Sequence, residues 1–150
     1  MPAAAAVEAF VPQIARVIQL AVAPVFLLSG VGVIITVLTN RLGRIVDRAR
    51  ALEEKFARSD HAAAAELDVR LAVLARRARM VNLALTLATS CALLICMVIV
   101  ALFTGELFRI DLSALIGTLF VAAMLAFIGA LVSFLREIFL ATDTVRIGRN

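Results

Sequence analysis

The side chains of this sequence that could take part in chemistry are mainly arginines, which make up fourteen of its fifteen basic residues. The sequence has no Gly-x-Ser-x-Gly nucleophile motif, no glycine loop for phosphate, no His-Glu pair at helical spacing, and neither Tyr nor Trp. His61, the only histidine, lies in a polar turn, where we expect a solvated side chain rather than a metal ligand. We therefore expect no catalytic residue, no metal, no cofactor and no enzymatic activity.

Two cysteines, Cys91 and Cys96, lie in one apolar run. Five residues of helix rotate the chain by about 500°, which leaves the two side chains about 140° apart and unable to form a disulfide with each other. We interpret both as small apolar residues that fill space.

Six arginines are predicted to gather where apolar runs end, at the inner boundary of a membrane. These collar residues are Arg41, Arg44, Arg48, Arg76, Arg77 and Arg79. The simpler interpretation is a collar that extends toward anionic lipid headgroups, and the alternative is a gate or a specific anionic-lipid site. At similar depth, Asp47 and Glu137 are predicted to pair with arginines of neighbouring helices. Because the positive charge is concentrated beside apolar runs, nucleic acid is not an expected partner.

A second group of residues, the stripe, shares one face of the first apolar run. Its members are Ser29, Gly32, Thr36, Asn40 and Asp47, which fall within an arc of about 80° at 100° per residue. Small and hydroxylated residues let membrane helices approach closely, so the stripe is predicted to be a helix–helix seam within or between subunits. The alternative is that it lines a water-filled path formed by several copies.

The elements that must position these residues are three long apolar runs. Apolar residues make up 63% of the 150-residue chain and the mean hydropathy is +1.05, well above the values of soluble domains. The runs cover 17–39, 81–103 and 112–135, and about 20 residues of helix cross a hydrocarbon core. The sequence therefore predicts an all-α polytopic membrane protein with three transmembrane helices.

The segments outside these runs are also predicted to be helical or short. Residues 1–16 have apolar residues at helical spacing and are predicted to form an amphipathic helix on the outer surface. Residues 40–80 carry two runs of heptad spacing on either side of a polar turn, which predicts an antiparallel helical hairpin. Residues 136–150 are the predicted tail, and Asp111 or Ser113 is expected to cap the third helix.

Orientation is predicted from the distribution of arginine and lysine. Residues 41–80 contain ten basic residues and the C-terminal tail three, whereas the opposite side has only Arg16 and Arg109. Since cytoplasmic loops carry the excess of basic residues, the hairpin and the C-terminus are expected in the cytoplasm and the N-terminus outside.

Four segments of the sequence together resemble a bacterial membrane-protein family, domain-of-unknown-function family 2721. They are residues 23–30 (APVFLLSG), 38–42 (LTNRL), 44–50 (RIVDRAR) and 76–82 (RRARMVN). The resemblance runs from about residue 15 to 145 of the printed sequence. It implies a three-helix protein of the inner membrane, and it implies no activity or catalytic residue.

Two functions are consistent with these features. The first is a homo-oligomeric assembly, with an ion or small-solute pore as one form of it, in which the stripe lies near the oligomer axis. The second is a membrane-anchored scaffold or interaction module that acts through the cytoplasmic hairpin. The expected partners are the lipid bilayer, anionic headgroups and further copies of the chain, and the sequence identifies no other protein partner.

Overall fold

The computed structural model describes residues 2–56 and 61–146, with side-chain environments for 15–55 and 68–139. It contains three helices: α1 (Pro2–Phe56), α2 (His61–Phe108) and α3 (Ser113–Arg146). Each is long and apolar enough to cross a membrane, over Ala15–Lys55, Asp68–Phe108 and Ser113–Phe139. The all-α class and the three candidate membrane helices predicted from the sequence are confirmed.

Helix α1 extends beyond the first predicted run at both ends. It begins at Pro2, includes the predicted surface segment 1–16 without a break, and passes through Pro24. A seam of buried residues recurs every seven positions along α1: Val17, Pro24, Val31, Leu38 and Ile45. A period of seven residues keeps the buried positions on nearly the same side of the helix from one repeat to the next.

Helices α2 and α3 bury small residues at the same kind of spacing. In α2 the buried positions are Val81, Ala84, Ala88, Cys91, Ile95, Val98 and Ala101. In α3 they are Ala123, Ala130 and Glu137, each with no exposed surface. At Gly129 an added Cβ atom would lie 3.2 Å from Cδ1 of Leu87, so this glycine lets α3 pack closely against α2. Small residues at such contacts are typical of membrane helices.

The connection between α2 and α3 is a short turn with defined caps. The Ile110 N–H donates to the Gly105 carbonyl at 3.0 Å, and Arg109 has a positive φ of 53°. This is the Schellman arrangement that ends many helices, with arginine at the position that glycine usually occupies. The Ser113 N–H then donates to Oδ1 of Asp111 at 3.0 Å, which confirms Asp111 as a cap of α3. The turn therefore makes α2 and α3 neighbours that run in opposite directions.

Contacts divide the chain into two units. The first comprises Met1–Val33 and Thr89–Phe127, and it contains the α2–α3 turn. The second comprises Ile34–Ala88 and Ile128–Asn150, and it contains the arginine-rich ends of all three helices. In the second unit α1 continues to Phe56 and α2 starts at His61, as expected for two arms of a helical hairpin. The predicted tip, Ser59 and Asp60, lies outside the described residues.

Candidate functional site

Glu137 is a carboxylate at a position where its helix otherwise buries alanine. It follows Ala123 and Ala130 at intervals of seven residues, and its side chain has no exposed surface. Placing a charged group in this position is costly unless partners of opposite charge surround it. The local packing of α3 thus fixes Glu137 inside the second unit, and the neighbouring helices must supply the compensating charge.

Two arginines from two other helices supply that charge. Arg77 of α2 donates from Nη2 and Nε to Oε1 of Glu137, at 2.8 and 3.2 Å. Arg41 of α1 places Nη1 3.1 Å from Oε2, within ion-pair distance. The arginine side chains keep 26% and 20% of their surface for Arg41 and Arg77 respectively, whereas Glu137 keeps none. The three residues, termed the triad, therefore join all three helices through one carboxylate.

The Arg41 side of the triad is held by a second contact. Its guanidinium carbon lies 5.3 Å from the centre of the Phe134 ring, a cation–π geometry. Nη1 is near Oε2 without the alignment of a hydrogen bond, and Oε2 is a buried oxygen with no hydrogen-bond donor among the described residues. The Arg41–Glu137 contact is thus an electrostatic pairing, and the aromatic ring helps to fix the plane of the guanidinium.

Beside the triad lies a polar recess of about 270 Å³, named here the arginine recess. It is lined by Arg41, Arg44, Ile45, Arg48 and Arg77. The three α1 arginines are spaced by three and four residues, so they share one face of the helix. Arg44 and Arg48 are exposed, and Ile45 is buried beneath them.

The charge of the arginine recess is only partly compensated. Four guanidinium groups line it, and Glu137 contacts two of them, which leaves three positive charges in excess within this set. Guanidinium groups bind phosphate and carboxylate groups through paired N–H donors. The arrangement can therefore hold an anion.

Comparison with known proteins places the chain in a family. The model of a family described as protein of unknown function (DUF2721) matches residues 21–147. The chain belongs to that family. The matched range includes Arg41, Arg77 and Glu137, so the triad lies inside the DUF2721 region. No curated protein and no solved structure matches the chain.

The sequence predicted that the six collar arginines lie at similar depth as one group. In the structure four of them line the arginine recess and two do not. Arg41, Arg44, Arg48 and Arg77 line the recess, whereas Arg76 and Arg79 are exposed on α2 and do not line it. The predicted pairing of Glu137 with arginines of neighbouring helices is confirmed. Asp47 is exposed, and its predicted pairing stays a prediction.

All five stripe residues are exposed on α1. Ser29, Gly32, Thr36, Asn40 and Asp47 lie away from the buried seam of that helix. The stripe is therefore not a seam with the other helices of the same chain. The Ser29 hydroxyl donates to the Val25 carbonyl at 3.3 Å, so its donor is satisfied within the helix. On α2, the exposed Thr86 hydroxyl donates in the same way to the Asn82 carbonyl, at 2.9 Å.

The sequence analysis did not identify two contributors to the site. Glu137 was expected to pair with arginine but not to be the centre of the site. Its spacing of seven and fourteen residues from the buried Ala130 and Ala123 is the feature that could have identified it. Phe134 was missed because a ring beneath a guanidinium depends on side-chain packing.

The two cysteines do not form a disulfide, as their spacing predicted. Cys91 is buried and Cys96 is exposed. Among the described residues, no group of His, Cys, Asp or Glu could hold a metal ion.

Proposed function

We propose that this protein assembles with copies of itself in the bacterial inner membrane and that the assembly forms a path for ions or small solutes. The observation that carries the proposal is the exposure of the whole stripe on the face of α1 away from its buried seam. Hydrocarbon gives membrane helices no hydrophobic reason to associate, so small and polar residues drive their contacts. An exposed row of such residues along an apolar helix is a surface against which a second copy can pack closely. No catalytic role forms part of this proposal.

The proposed orientation has the N-terminus outside and the helical hairpin in the cytoplasm. It is supported by the excess of arginine in residues 41–80 and by the single basic residue, Arg109, in the α2–α3 turn. Single cysteines at Glu54 and Arg109, in a chain without Cys91 and Cys96, test it with a reagent that cannot cross membranes. Glu54→Cys should react only from the cytoplasmic side and Arg109→Cys only from outside. The reverse pattern would reject this orientation.

Cysteine crosslinking tests the assembly directly. In a chain lacking Cys91 and Cys96, Thr36→Cys should give covalent dimers in membranes under oxidising conditions. The matched control is Val37→Cys, because Val37 is 43% exposed at the same depth and lies about 100° around the helix. Dimers from Thr36→Cys and few from Val37→Cys support the assembly. Monomers alone from both variants, or from Ser29→Cys and Asn40→Cys as well, would contradict it.

A flux measurement tests whether the proposed assembly conducts ions or small solutes, independently of whether the assembly forms. Liposomes containing the protein should release a trapped ion or small solute, and Thr36→Phe should reduce that release more than Val37→Phe. A bulky ring on the stripe would narrow a path lined by this face, whereas a ring at Val37 would not. Flux equal to that of protein-free liposomes would remove the path and leave the assembly intact.

A second candidate function is a scaffold that acts through the hairpin. It is favoured by a groove of about 480 Å³ in the second unit, to which both arms contribute apolar side chains. Ile45 and Ala49 of α1 face Leu71, Leu74 and Ala78 of α2 there. Arg50, Glu53 and Asp68 also line the groove, so its rim has both signs of charge. Apolar grooves with polar rims are common protein-binding surfaces.

Filling the groove tests the scaffold function. Ala75 lines the groove and is exposed, so Ala75→Trp should block an incoming partner without disturbing a packed core. Val73, which is 41% exposed and does not line the groove, provides the control Val73→Trp. Proteins that copurify with the wild type and with Val73→Trp, but not with Ala75→Trp, would support docking. An unchanged set of copurifying proteins would reject it.

A further inference from the structure

We infer that the arginine recess is a binding site for one phosphate group, supplied by the headgroup of an anionic phospholipid. The inference does not depend on the proposed assembly or path, because one chain supplies all the lining residues. It also differs from a general basic collar, because it assigns the binding to four particular arginines and excludes two others at neighbouring positions.

The first argument is convergence. Arginines that only extend toward headgroups are expected to be independent and fully solvated. Here Arg41, Arg44, Arg48 and Arg77 come from two helices and line one recess. Four guanidinium groups in one place repel one another, and a bound anion relieves that repulsion.

The second argument is that two of the four arginines are held in place before any ligand arrives. Glu137 fixes Arg77 by two hydrogen bonds and pairs with Arg41, and Phe134 lies under the Arg41 guanidinium. Ordering a flexible arginine costs conformational entropy, and this part of the cost is already met in the folded protein. Arg44 and Arg48 are exposed and remain available to contact the ligand.

The third argument is charge balance. Glu137 is buried, does not line the recess, and compensates only one of the four positive charges. The remaining excess suits an anionic ligand, and the volume of about 270 Å³ is near the lower limit of roughly 300 Å³ for small-molecule pockets. A phosphate with a small polar substituent fits these limits better than a larger organic molecule.

The fourth argument is position along the chain. Arg41 lies two residues after the end of the apolar run 17–39, and Arg77 lies four residues before the start of the run 81–103. Both therefore lie where helices leave hydrocarbon, which is the depth of lipid phosphates. A free phosphate has the same chemistry as the lipid phosphate, but it reaches this depth only from water.

Binding measurements on the purified full chain in neutral detergent test the inference. The probes are a short-chain phosphatidylglycerol, the matching phosphatidylcholine and inorganic phosphate, each titrated separately. The test variant is Arg44→Gln with Arg48→Gln, which removes two recess arginines and leaves the triad intact. The control is Arg76→Gln with Arg79→Gln, which removes the same charge from exposed arginines outside the recess.

The expected result is preferential binding of phosphatidylglycerol over phosphatidylcholine, with affinity reduced about tenfold or more in the test variant, as expected for losing charge-assisted hydrogen bonds. The control should stay within about twofold of the wild type, since screened surface charges contribute little. If inorganic phosphate binds as tightly as phosphatidylglycerol and competes with it, the site is retained and its ligand is free phosphate. Equal losses in both variants, or no loss in the test variant, would overturn the site.

Two further measurements distinguish a loss of binding from a loss of folding: the melting temperature of the test variant and the affinity of a single substitution. Because Arg44 and Arg48 are exposed, the test variant should melt within a few degrees of the wild type without lipid, as surface substitutions usually do. Arg48→Gln alone should show an intermediate affinity. A single variant that binds like the wild type, together with a double variant that does not fold, would count against the site.

Discussion

Arg77 and Glu137 lie on different helices, and the Nη2 atom of the arginine is 2.8 Å from the Oε1 atom of the carboxylate. The other oxygen of Glu137 faces Arg41, so the carboxylate divides its two oxygens between α2 and α1. Glu137 itself is completely buried. A single side chain of α3 therefore compensates arginines of both other helices.

Replacing Glu137 should destabilise the protein although the new side chain has nearly the same shape. In Glu137→Gln the amide cannot compensate two guanidinium groups, and removing one partner of a buried ion pair costs about 3–5 kcal/mol. Because Arg41 and Arg77 keep 26% and 20% of their side-chain surface, both can turn toward water or headgroups. We expect a smaller loss, about 2 kcal/mol, measured by unfolding in detergent.

The control for that substitution is Glu106→Gln, which changes an exposed carboxylate in the same way. It should leave the melting temperature unchanged within error, since exposed charges contribute little. A melting temperature for Glu137→Gln equal to that of Glu106→Gln would mean that the triad does not stabilise the fold.

Adjacent arginines on α2 should differ sharply in their effect on stability. Arg77→Gln removes both hydrogen bonds to Oε1 of Glu137, whereas Arg76 is exposed. We expect Arg77→Gln to lower the free energy of unfolding by about 1–3 kcal/mol and Arg76→Gln by less than about 0.5 kcal/mol. The double variant Arg77→Gln with Glu137→Gln should lose less unfolding free energy than the sum of the losses in the two single variants, because both changes remove the same contact. Equal effects at Arg76 and Arg77 would contradict the geometry of the triad.

The α2–α3 turn should tolerate glycine better than its own arginine. Arg109 adopts a φ of 53°, a left-handed conformation that costs most residues roughly 1–2 kcal/mol relative to the right-handed one. Arg109→Gly should therefore raise the free energy of unfolding by up to about 1 kcal/mol. The gain is smaller than the relieved strain because glycine increases the conformational entropy of the unfolded chain. Arg109→Ala is the control and should not stabilise. Stabilisation by alanine as large as that by glycine would point to the lost charge and not to the backbone.

Acid should weaken the start of α3 through Asp111. Hydrogen bonds from the Ser113 side chain and then from its backbone N–H lower the pKa of the Asp111 carboxyl. A carboxyl whose pKa is lower in the folded state contributes stability above its unfolded pKa and loses it as the pH falls through its folded pKa. Wild-type melting temperature should therefore fall on acidification more steeply than that of Asp111→Asn, which cannot titrate. Parallel pH profiles of the two proteins would refute this cap effect.

The fold was largely predictable because hydrocarbon imposes simple rules on a chain. Runs such as 81–103 must be helical to satisfy their backbone in hydrocarbon. The heptad spacing beside them predicted that α1 and α2 continue past the apolar runs, as they do. Asp111 was predictable as a cap because it precedes an apolar run in a short polar loop. The predicted outer surface helix, 1–16, belongs to α1, and its placement on a membrane surface stays a prediction.

The site was predictable only in part because it depends on which face of each helix points toward the other two helices. Arg76 and Arg77 are neighbours in sequence but about 100° apart on α2, so the collar pattern alone cannot choose between them. The buried positions Val81 and Ala84 continue the series back to Arg77, which is the signal that would have chosen it. The recess itself requires α1 and α2 arginines to meet, and only side-chain packing in three dimensions determines that.

The position of Glu137 after both Arg41 and Arg77 in the sequence has a consequence for biosynthesis. Arg77 and Glu137 are separated by 60 residues, so a ribosome completes both arginine-bearing helices before it makes the carboxylate that neutralises them. Until then the nascent chain holds Arg41 and Arg77 without their shared counter-ion, and their mutual repulsion opposes early closure of α1 on α2. We therefore expect α1 and α2 to be held together only once α3 has been inserted. A chain truncated before Glu137 should assemble poorly and should be degraded by membrane proteases.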